Sequence, residues 1–236
     1  MRTRKGTRVY AIGDVHGRHD LLVELLTLIV NHWEASLTHP RRVELIFLGD
    51  VIDRGPDSAR CLELVADLVE RGAAMMLKGN HEDMLLESVS GNPAAIQAWL
   101  RHGGLETLAS YSIDPPREGE DTWDFTERLL EQIPSRHLDV LRAAPTSHRC
   151  GTYFFVHAGV KPGIPLDKQR PVDLYSIRRE FTGCHDWHGA MIVHGHEIVD
   201  KGMVLPNRIA CDTGAYASGH LTCACLEDET ISFIET

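Results

Sequence analysis

The sequence predicts an α/β fold in which two β-sheets are flanked by helices. Short apolar runs recur along the chain, and each ends at Gly or at a polar residue such as His. They are too brief for a helical period and stop at a breaker, which is typical of buried strands. The first two runs enclose a helical pattern, which predicts a βαβ unit with parallel strands and a right-handed crossover. Beyond residue 146 the short β-like pieces indicate a second, mixed sheet.

Strands and helices alternate in the first third of the chain. A strand ending at Gly13 precedes a helix over 20–33, for which Asp20 is the predicted N-cap. The next strand covers 45–48, and a helix over 58–71 stops at Gly72, a residue suited to a helix C-terminus. A third strand starts at Met75, and residues 82–90 begin another helix. In open α/β sheets, ligands bind beyond the carboxyl ends of such strands.

The middle of the chain is predicted to be mostly helical. Helical patterns cover 92–108, with a break at Gly103 and Gly104, and also 121–132 and 135–143. We expect the region of about 83–145 to form a helical lid beside the site. No linker, repeat or low-complexity tract divides the sequence, so residues 1–236 are predicted to form a single domain.

The last third of the chain is predicted to supply the second sheet. Segments 147–150 and 153–156 fit a hairpin around Gly151, and a further strand precedes His194. The remaining β-like segments are 202–205, 208–212, 220–226 and 230–234. We expect all of these strands in that one sheet.

Composition narrows the class of partner. The formal net charge of −10 argues against nucleic acid, because phosphate backbones are bound by Lys and Arg. Bound metal ions could still reverse the local charge for a phosphorylated substrate. No apolar run is long enough to cross a membrane, and we read no signal peptide. The six cysteines have no zinc or redox spacing, so we expect reduced thiols and a cytoplasmic protein.

Five strand ends carry side chains that can bind metal ions. They are VYAIGDVHG (9–17), VELIFLGDVIDRG (43–55), MMLKGNHE (75–82), FFVHAG (154–159) and MIVHGH (191–196). Their Asp, Asn and His residues suit manganese, iron or zinc, whereas calcium and magnesium prefer oxygen ligands alone. A carboxylate such as Asp50 can bridge two ions, and two ions about 3.5–4 Å apart bind a phosphoryl group and acidify a bridging water.

Together these motifs resemble the phosphoprotein phosphatase family of calcineurin-like metallophosphoesterases. The matching strings are GDVHG (13–17), GDVIDRG (49–55), GNHE (79–82), VHAG (156–159) and HGHE (194–197), in the family's order. The similarity covers nearly the whole chain and is greatest to compact bacterial and phage serine/threonine phosphatases. It implies a β-sandwich of two mixed sheets flanked by α-helical layers.

The resemblance implies two divalent metal ions, with manganese preferred and iron or zinc left open. The implied ligands are Asp14 and His16 for the first ion, Asp50 as the bridge, and Asn80, His157 and His196 for the second ion. The Gly-His pair of the fifth motif matches the family, so His194 is interpreted as a neighbour of the site.

The resemblance also implies residues that act on the substrate. Arg54 would bind phosphate, since its planar guanidinium matches two oxygens, and His81 would be the general acid, oriented by Asp53. A second phosphate-binding arginine is expected in LYSIRREF (174–181). Arg178 is the better match and Arg179 stays open, because many relatives have Trp at the third position of this segment.

The leading functional prediction is a dinuclear-metal phosphomonoesterase of the protein serine/threonine phosphatase type. In that family a metal-bridging hydroxide attacks phosphorus directly and no phosphoenzyme forms. The substrate would be a phosphorylated protein or a small phosphoester. The alternatives are a dinucleoside-polyphosphate hydrolase acting on diadenosine tetraphosphate, whose enzymes share these motifs, and a catalytically silent, metal-stabilised binding module. The complete ligand set, with Arg54 and His81, argues against the silent module.

Overall fold

Two five-stranded sheets form the centre of the computed structural model, which describes residues 1–36 and 40–236. The strands in the described chain are β1 (Thr7–Ile12), β2 (Arg42–Phe47), β3 (Met75–Met76), β4 (Ser147–Cys150), β5 (Tyr153–Val156), β6 (Met191–His194), β7 (Met203–Val204), β8 (Arg208–Ala210), β9 (Thr222–Glu227) and β10 (Thr230–Glu235). The first sheet has the order β10-β9-β1-β2-β3, and the second has the order β4-β5-β6-β8-β7. The predicted pair of mixed sheets is confirmed.

Each sheet contains three neighbouring parallel strands. In the first sheet β1, β2 and β3 run parallel, and in the second sheet β5, β6 and β8 do so. The other strands extend these groups in the antiparallel sense. The predicted parallel pairing of β1 with β2 is therefore confirmed, and the loops that follow the parallel strands carry the candidate site.

The last two strands correct the sequence-based topology. We predicted 220–226 and 230–234 in the second sheet, but β9 pairs with β1, with Val9 opposite Leu226, and β10 pairs with β9. Alternation of apolar residues predicts that a segment is a strand, but it does not indicate which other strand the segment pairs with. The pairing instead depends on which strand edge β1 leaves open, since β2 occupies its other side.

Helices pack around the two sheets. They are α1 (His19–Glu34), α2 (Ser58–Glu70), α3 (Asn80–Ser88), α4 (Pro93–Trp99), α5 (Leu105–Ser110), α6 (Thr122–Gln132), α7 (Ser135–Ala143), α8 (Pro171–Ser176), α9 (Arg179–Thr182) and α10 (Ala215–Ser218). A π-type turn, Leu100–Gly104, joins α4 to α5.

Helix α1 begins one residue before the predicted N-cap, so Asp20 lies in the first turn, where Arg18 donates to its carboxylate. None of the described helices has the length and apolarity needed to span a membrane.

The core has three apolar layers. Between the sheets, side chains such as Val9, Phe155 and Leu226 are fully buried. On the outer face of the first sheet, α1, α2 and the helices of the middle region bury a second layer that includes Leu22. On the outer face of the second sheet, a smaller layer includes Phe181 from α9. The sandwich therefore holds the loops after its parallel strands on a rigid base, which a preorganised site requires.

Candidate metal and phosphate site

The loops after five of the parallel strands bring the predicted metal-binding residues together. Asp14 and His16 follow β1, Asp50 follows β2, Asn80 opens α3 after β3, His157 follows β5 and His196 follows β6. All of them except Asn80 are buried to 8% exposure or less. Carboxylates and imidazoles so deeply buried need partners, because an unpaired buried polar group is costly.

Backbone geometry lets these loops approach each other closely. Asp50 has φ +50°, a left-handed conformation that side chains rarely adopt. A Cβ atom at Gly79 would lie 2.1 Å from the Asp50 carboxylate and 2.5 Å from its backbone nitrogen. Only glycine fits there, so the glycine of the third motif is required by the contact between two loops.

The Oδ2 atom of Asp50 lies at the centre of the site. It is 3.3 Å from Nε2 of His157, 3.7 Å from Nε2 of His16 and 3.8 Å from Nε2 of His81. Two groups of potential metal ligands therefore share Asp50: one with His16 and His81, the other with His157 and His196. A carboxylate shared between two groups is the arrangement that a bridging ligand needs.

The hydrogen bonds of two histidines leave their other ring nitrogens free for a cation. Nδ1 of His16 donates to the Ile52 carbonyl at 2.8 Å, and Nδ1 of His157 donates to the Leu48 carbonyl at 3.0 Å. When these imidazoles are neutral, as metal binding requires, Nε2 carries a lone pair. Nε2 of His157 lies 3.1 Å from the amide oxygen of Asn80, so two acceptors face each other, and a cation between them would satisfy both.

Orphaned nitrogen atoms give a second sign that metal ions fit. Among the described residues, the Nε2 atoms of His16, His194 and His196 are buried without a hydrogen-bond partner, and it is Nδ1 of His196 that lies 3.1 Å from Nε2 of His157. Burial lowers the pKa of His16 to about 3, and burial with the charge of His157 lowers the pKa of His196 to about 2. Both imidazoles are therefore neutral near pH 7, the form that binds metal ions.

The carboxylates add negative charge to the same place. Burial and the charges of Asp212 and Asp50 raise the pKa of Asp14 well above its usual range. Burial acts in the same direction on Asp50, but the neighbouring histidines, His157 first, reverse it and lower its pKa. Several buried carboxylates at one site favour a bound cation, so the residues present fit divalent metal ions.

Asp212 is a site residue that the sequence analysis missed. It follows β8, is 2% exposed and accepts a hydrogen bond from the backbone of Gly214 at 2.8 Å. The segment RIACDTG repeats the pattern of the other motifs, a strand followed by Asp and Gly. That repetition could have identified it as a sixth strand end.

His81 lies between the metal ligands and Arg54. Its Nδ1 is 2.6 Å from Oδ2 of Asp53, and its Nε2 is 3.0 Å from Nη2 of Arg54. Burial acts to lower the pKa of His81, but the carboxylates of Asp50 and Asp53 outweigh it and raise the pKa overall. The charge of Arg54 acts against that rise in pKa, and because a guanidinium nitrogen can only donate, Nε2 of His81 is the acceptor in this contact.

The Asp53 carboxylate is held from three sides. Besides His81, it accepts from the Trp99 indole at 2.9 Å and from the Thr107 hydroxyl at 2.6 Å, while Ser58 accepts its backbone N–H. Trp99 and Thr107 belong to α4 and α5, within the region predicted to be a helical lid. These helices therefore contribute directly to the wall of the site.

The second predicted phosphate-binding residue also lies at the site. Nη1 of Arg178 is 2.6 Å from Oε1 of Glu197, the residue after His196, and its charge contributes to lowering the pKa of His196. Arg179 is the first residue of α9 and is exposed. The structure thus brings Arg178 beside the predicted ligands, while the phosphate-binding role stays a prediction.

Glu82 fastens the loop after β2 to the loop after β3. Its Oε2 accepts the backbone N–H groups of Asp50 and Gly79 at 2.8 and 2.9 Å, and its Oε1 accepts the N–H of Val51 at 2.8 Å. Burial and the charge of Asp50 raise its pKa to about 7. The side chain contacts backbone around the candidate ligands and so supports the site by hydrogen bonding.

Comparison with known proteins agrees with this geometry. The family model for calcineurin-like phosphoesterases matches residues 7–221. A bis(5'-nucleosyl)-tetraphosphatase PrpE [asymmetrical] from Geobacillus sp. (strain WCH70) is 29% identical over 232 residues, covering 91% of this chain and 89% of that protein. The protein with the same name from Bacillus cereus (strain Q1) is 29% identical over 228 residues, with 89% and 87% covered.

Solved structures share the fold. The crystal structure of a candidate diadenosine tetraphosphatase superposes with a TM-score of 0.65 at 20% identity, covering 100% of this chain and 98% of that chain. The cold-active protein-tyrosine phosphatase of a psychrophilic Shewanella has a TM-score of 0.55 at 16% identity, covering 98% and 83%.

Fold and site together define a metallophosphoesterase. Because the family model covers most of the residues, the chain belongs to the calcineurin-like phosphoesterase family. The predicted resemblance is confirmed at this level. The named relatives are dinucleoside tetraphosphatases, so the narrower prediction of a protein serine/threonine phosphatase is not supported by them.

Replacing Glu82 tests the link between the two loops. In Glu82→Gln an amide N–H₂ would face backbone N–H groups, so we expect the free energy of unfolding to fall by about 3 kcal/mol, with loss of bound metal. Chemical denaturation and metal analysis would measure both. Glu87→Gln, on the exposed face of the same helix, is the matched control and should change neither. An unaltered Glu82→Gln protein would contradict this account.

Proposed function

We propose that this protein is a dinuclear-metal hydrolase of dinucleoside tetraphosphates. The observation that carries the proposal is the sharing of Asp50 between two groups of ligands, in a chain that matches tetraphosphatases over about nine tenths of both lengths. This puts the dinucleoside-polyphosphate alternative ahead of the protein phosphatase that led the sequence-based predictions. An asymmetrical cleavage of four phosphates would release a nucleoside monophosphate and a nucleoside triphosphate.

The proposed ligand set is the one implied by the motifs. Asp14 and His16 would hold one divalent ion, Asp50 would contact both ions, and Asn80, His157 and His196 would hold the other. When bound, such ions activate water and offset the charge of the phosphate oxygens. The orphaned Nε2 of His16 and the position of His196 Nδ1, 3.1 Å from Nε2 of His157, support this assignment.

The chain's own residues would bind the phosphate and deliver a proton. Arg54 would donate its in-plane N–H groups to oxygens of the phosphoryl group under attack, with Arg178 beside the second group of ligands. Once Arg54 turned its Nη2 N–H groups from His81 to phosphate, protonated His81 would give a proton from Nε2 to the leaving oxygen. Asp53 would hold the ring by its hydrogen bond to Nδ1 and stabilise the charged form.

The chemistry of the leaving group separates the two candidate substrates. A serine alkoxide is strongly basic and needs a proton to depart, whereas a nucleotide phosphate is a weak base that leaves without one. General-acid help should therefore matter more for phosphoserine than for a tetraphosphate. The same residues could turn over both, at rates that depend differently on His81.

A substrate panel tests the proposed function. Manganese-loaded protein would be assayed with diadenosine tetraphosphate, phosphoserine and phosphotyrosine peptides, and p-nitrophenyl phosphate. We expect the highest kcat/KM for the dinucleotide, with AMP and ATP as products resolved by chromatography. Preference for a phosphopeptide would restore the protein phosphatase prediction. No turnover of any compound would indicate the silent binding module.

Metal analysis tests the shared ligand. Asp50→Asn should lose most of both ions, because the carboxylate would contact both, whereas His157→Ala should lose about one of the two. Metal content after gel filtration would be measured by mass spectrometry. Activity removed by a chelator should return with manganese. Asp50→Asn protein that stays fully loaded would contradict the bridging assignment.

The third test concerns His81. General-acid catalysis contributes about 100- to 10,000-fold to the rate of a reaction. The rate of phosphoserine-peptide hydrolysis by His81→Asn should therefore fall by a factor in this range, relative to the rate of the wild-type protein on the same peptide. The loss should be clearly smaller on p-nitrophenyl phosphate and diadenosine tetraphosphate, and metal content should be unchanged. Equal losses on all three substrates would show that His81 acts on phosphate binding or on the nucleophile.

A further inference from the structure

The guanidinium of Arg54 is held without a carboxylate. The acidic side chains next to it in sequence, Asp50 and Asp53, interact with histidines instead, and Arg54 forms no salt bridge with any residue of the described chain. Its Nη2 faces Nε2 of His81 at 3.0 Å, and its backbone N–H donates to the Gly103 carbonyl at 3.1 Å. Its positive charge is therefore not neutralised.

The guanidinium of Arg54 lies over the ring of Tyr216. Cζ of Arg54 lies 4.9 Å from the centre of the ring, a cation–π distance. The ring also meets His16 edge-on, with centroids 5.4 Å apart and an interplanar angle of 85°. At the back of the arginine, a Cβ atom on Gly103 would come within 2.7 Å of its Cγ. The arginine side chain is thus confined between a glycine and an aromatic ring.

The ring itself is fixed by the short helix α10. Gly214 and Gly219 flank that helix in left-handed conformations, with φ +67° and +77°. The Asp212 carboxylate accepts the N–H of Gly214 at 2.8 Å, and Arg18 donates to the carbonyl of Ala215 at 2.8 Å. Tyr216 remains 37% exposed, so it lies at the rim of the site. The hydrogen bonds to Gly214 and Ala215 fix the helix that carries it.

We propose that Tyr216 is a positioning residue that orients Arg54 for phosphate without neutralising it. A carboxylate partner would compete with phosphate for the same N–H groups. An aromatic ring attracts the guanidinium through its π face and offers no oxygen to accept its N–H groups, so the donors that do not face His81 are available to phosphate oxygens. The inference rests on the proposed function only in requiring that Arg54 binds phosphate.

The experiment measures inorganic phosphate as a competitive inhibitor of p-nitrophenyl phosphate hydrolysis by the manganese-loaded enzyme, with calorimetric phosphate binding as a second readout. Tyr216→Leu should raise the inhibition constant about 2- to 30-fold, the range of a cation–π contact, and should affect KM more than kcat. Tyr216→Phe keeps the ring and should restore most of the affinity. Metal content should stay constant, and Trp123→Leu, an exposed aromatic on α6, is the control.

A double variant distinguishes whether Tyr216 acts by orienting Arg54 or contacts phosphate directly. In an Arg54→Ala background, Tyr216→Leu should cause no further loss. Additive losses, an unchanged affinity in Tyr216→Leu, or equal losses in Tyr216→Leu and Tyr216→Phe would each overturn the proposal. None of these measurements uses a dinucleotide, so a wrong substrate assignment would appear in the substrate panel and not here.

Discussion

The buried carboxylate of Glu82 is the interaction on which the site depends. It joins the backbones of Asp50, Val51 and Gly79, and so fixes the distance between the loops after β2 and β3. Asp50 contacts three histidines only because its backbone is held in a left-handed turn against Gly79. Three N–H groups offset part of the cost of burying this charge. Without them, neither the ligands nor the turn would have a fixed place.

The loop after β2 directs residues only a few positions apart toward two different parts of the site. Asp50, Asp53 and Arg54 all have positive φ values of 50°, 72° and 68°, and each such residue stores roughly 1–3 kcal/mol of strain. The strained backbone sends Asp50 toward the metal ligands and Asp53 toward His81, while Val51 and Ile52 stay in the core. Strain that clusters at one loop indicates a functional site, and here the packing around the loop maintains it.

The sequence predicted the strand ends well, because their signal is local: an apolar run, a glycine and a ligand-type side chain lie within a few residues. Prediction from the sequence failed for residues whose partners in the fold are far away along the chain. The partner of β9 is chosen by the open edge of β1, and Trp99 and Thr107 bind Asp53 from 46 and 54 residues away. Tyr216 carries no motif, since its significance comes from the guanidinium that it meets only in the folded chain.

The motifs also could not choose between an ester and an anhydride, for a chemical reason. In the proposed arrangement the metal ligands, Arg54 and His81 would all surround the phosphoryl group, which is common to both substrates. A tetraphosphate leaving group does not need a proton, so for that substrate the charge of a protonated His81 would contribute more than its acidity. Discrimination must then come from groups around Arg54 that meet the rest of the substrate. In this chain the rim at Tyr216 and the Arg178–Glu197 pair beside His196 are the groups that would do so, and of these residues Tyr216 and Arg178 lie outside the strings that define the family.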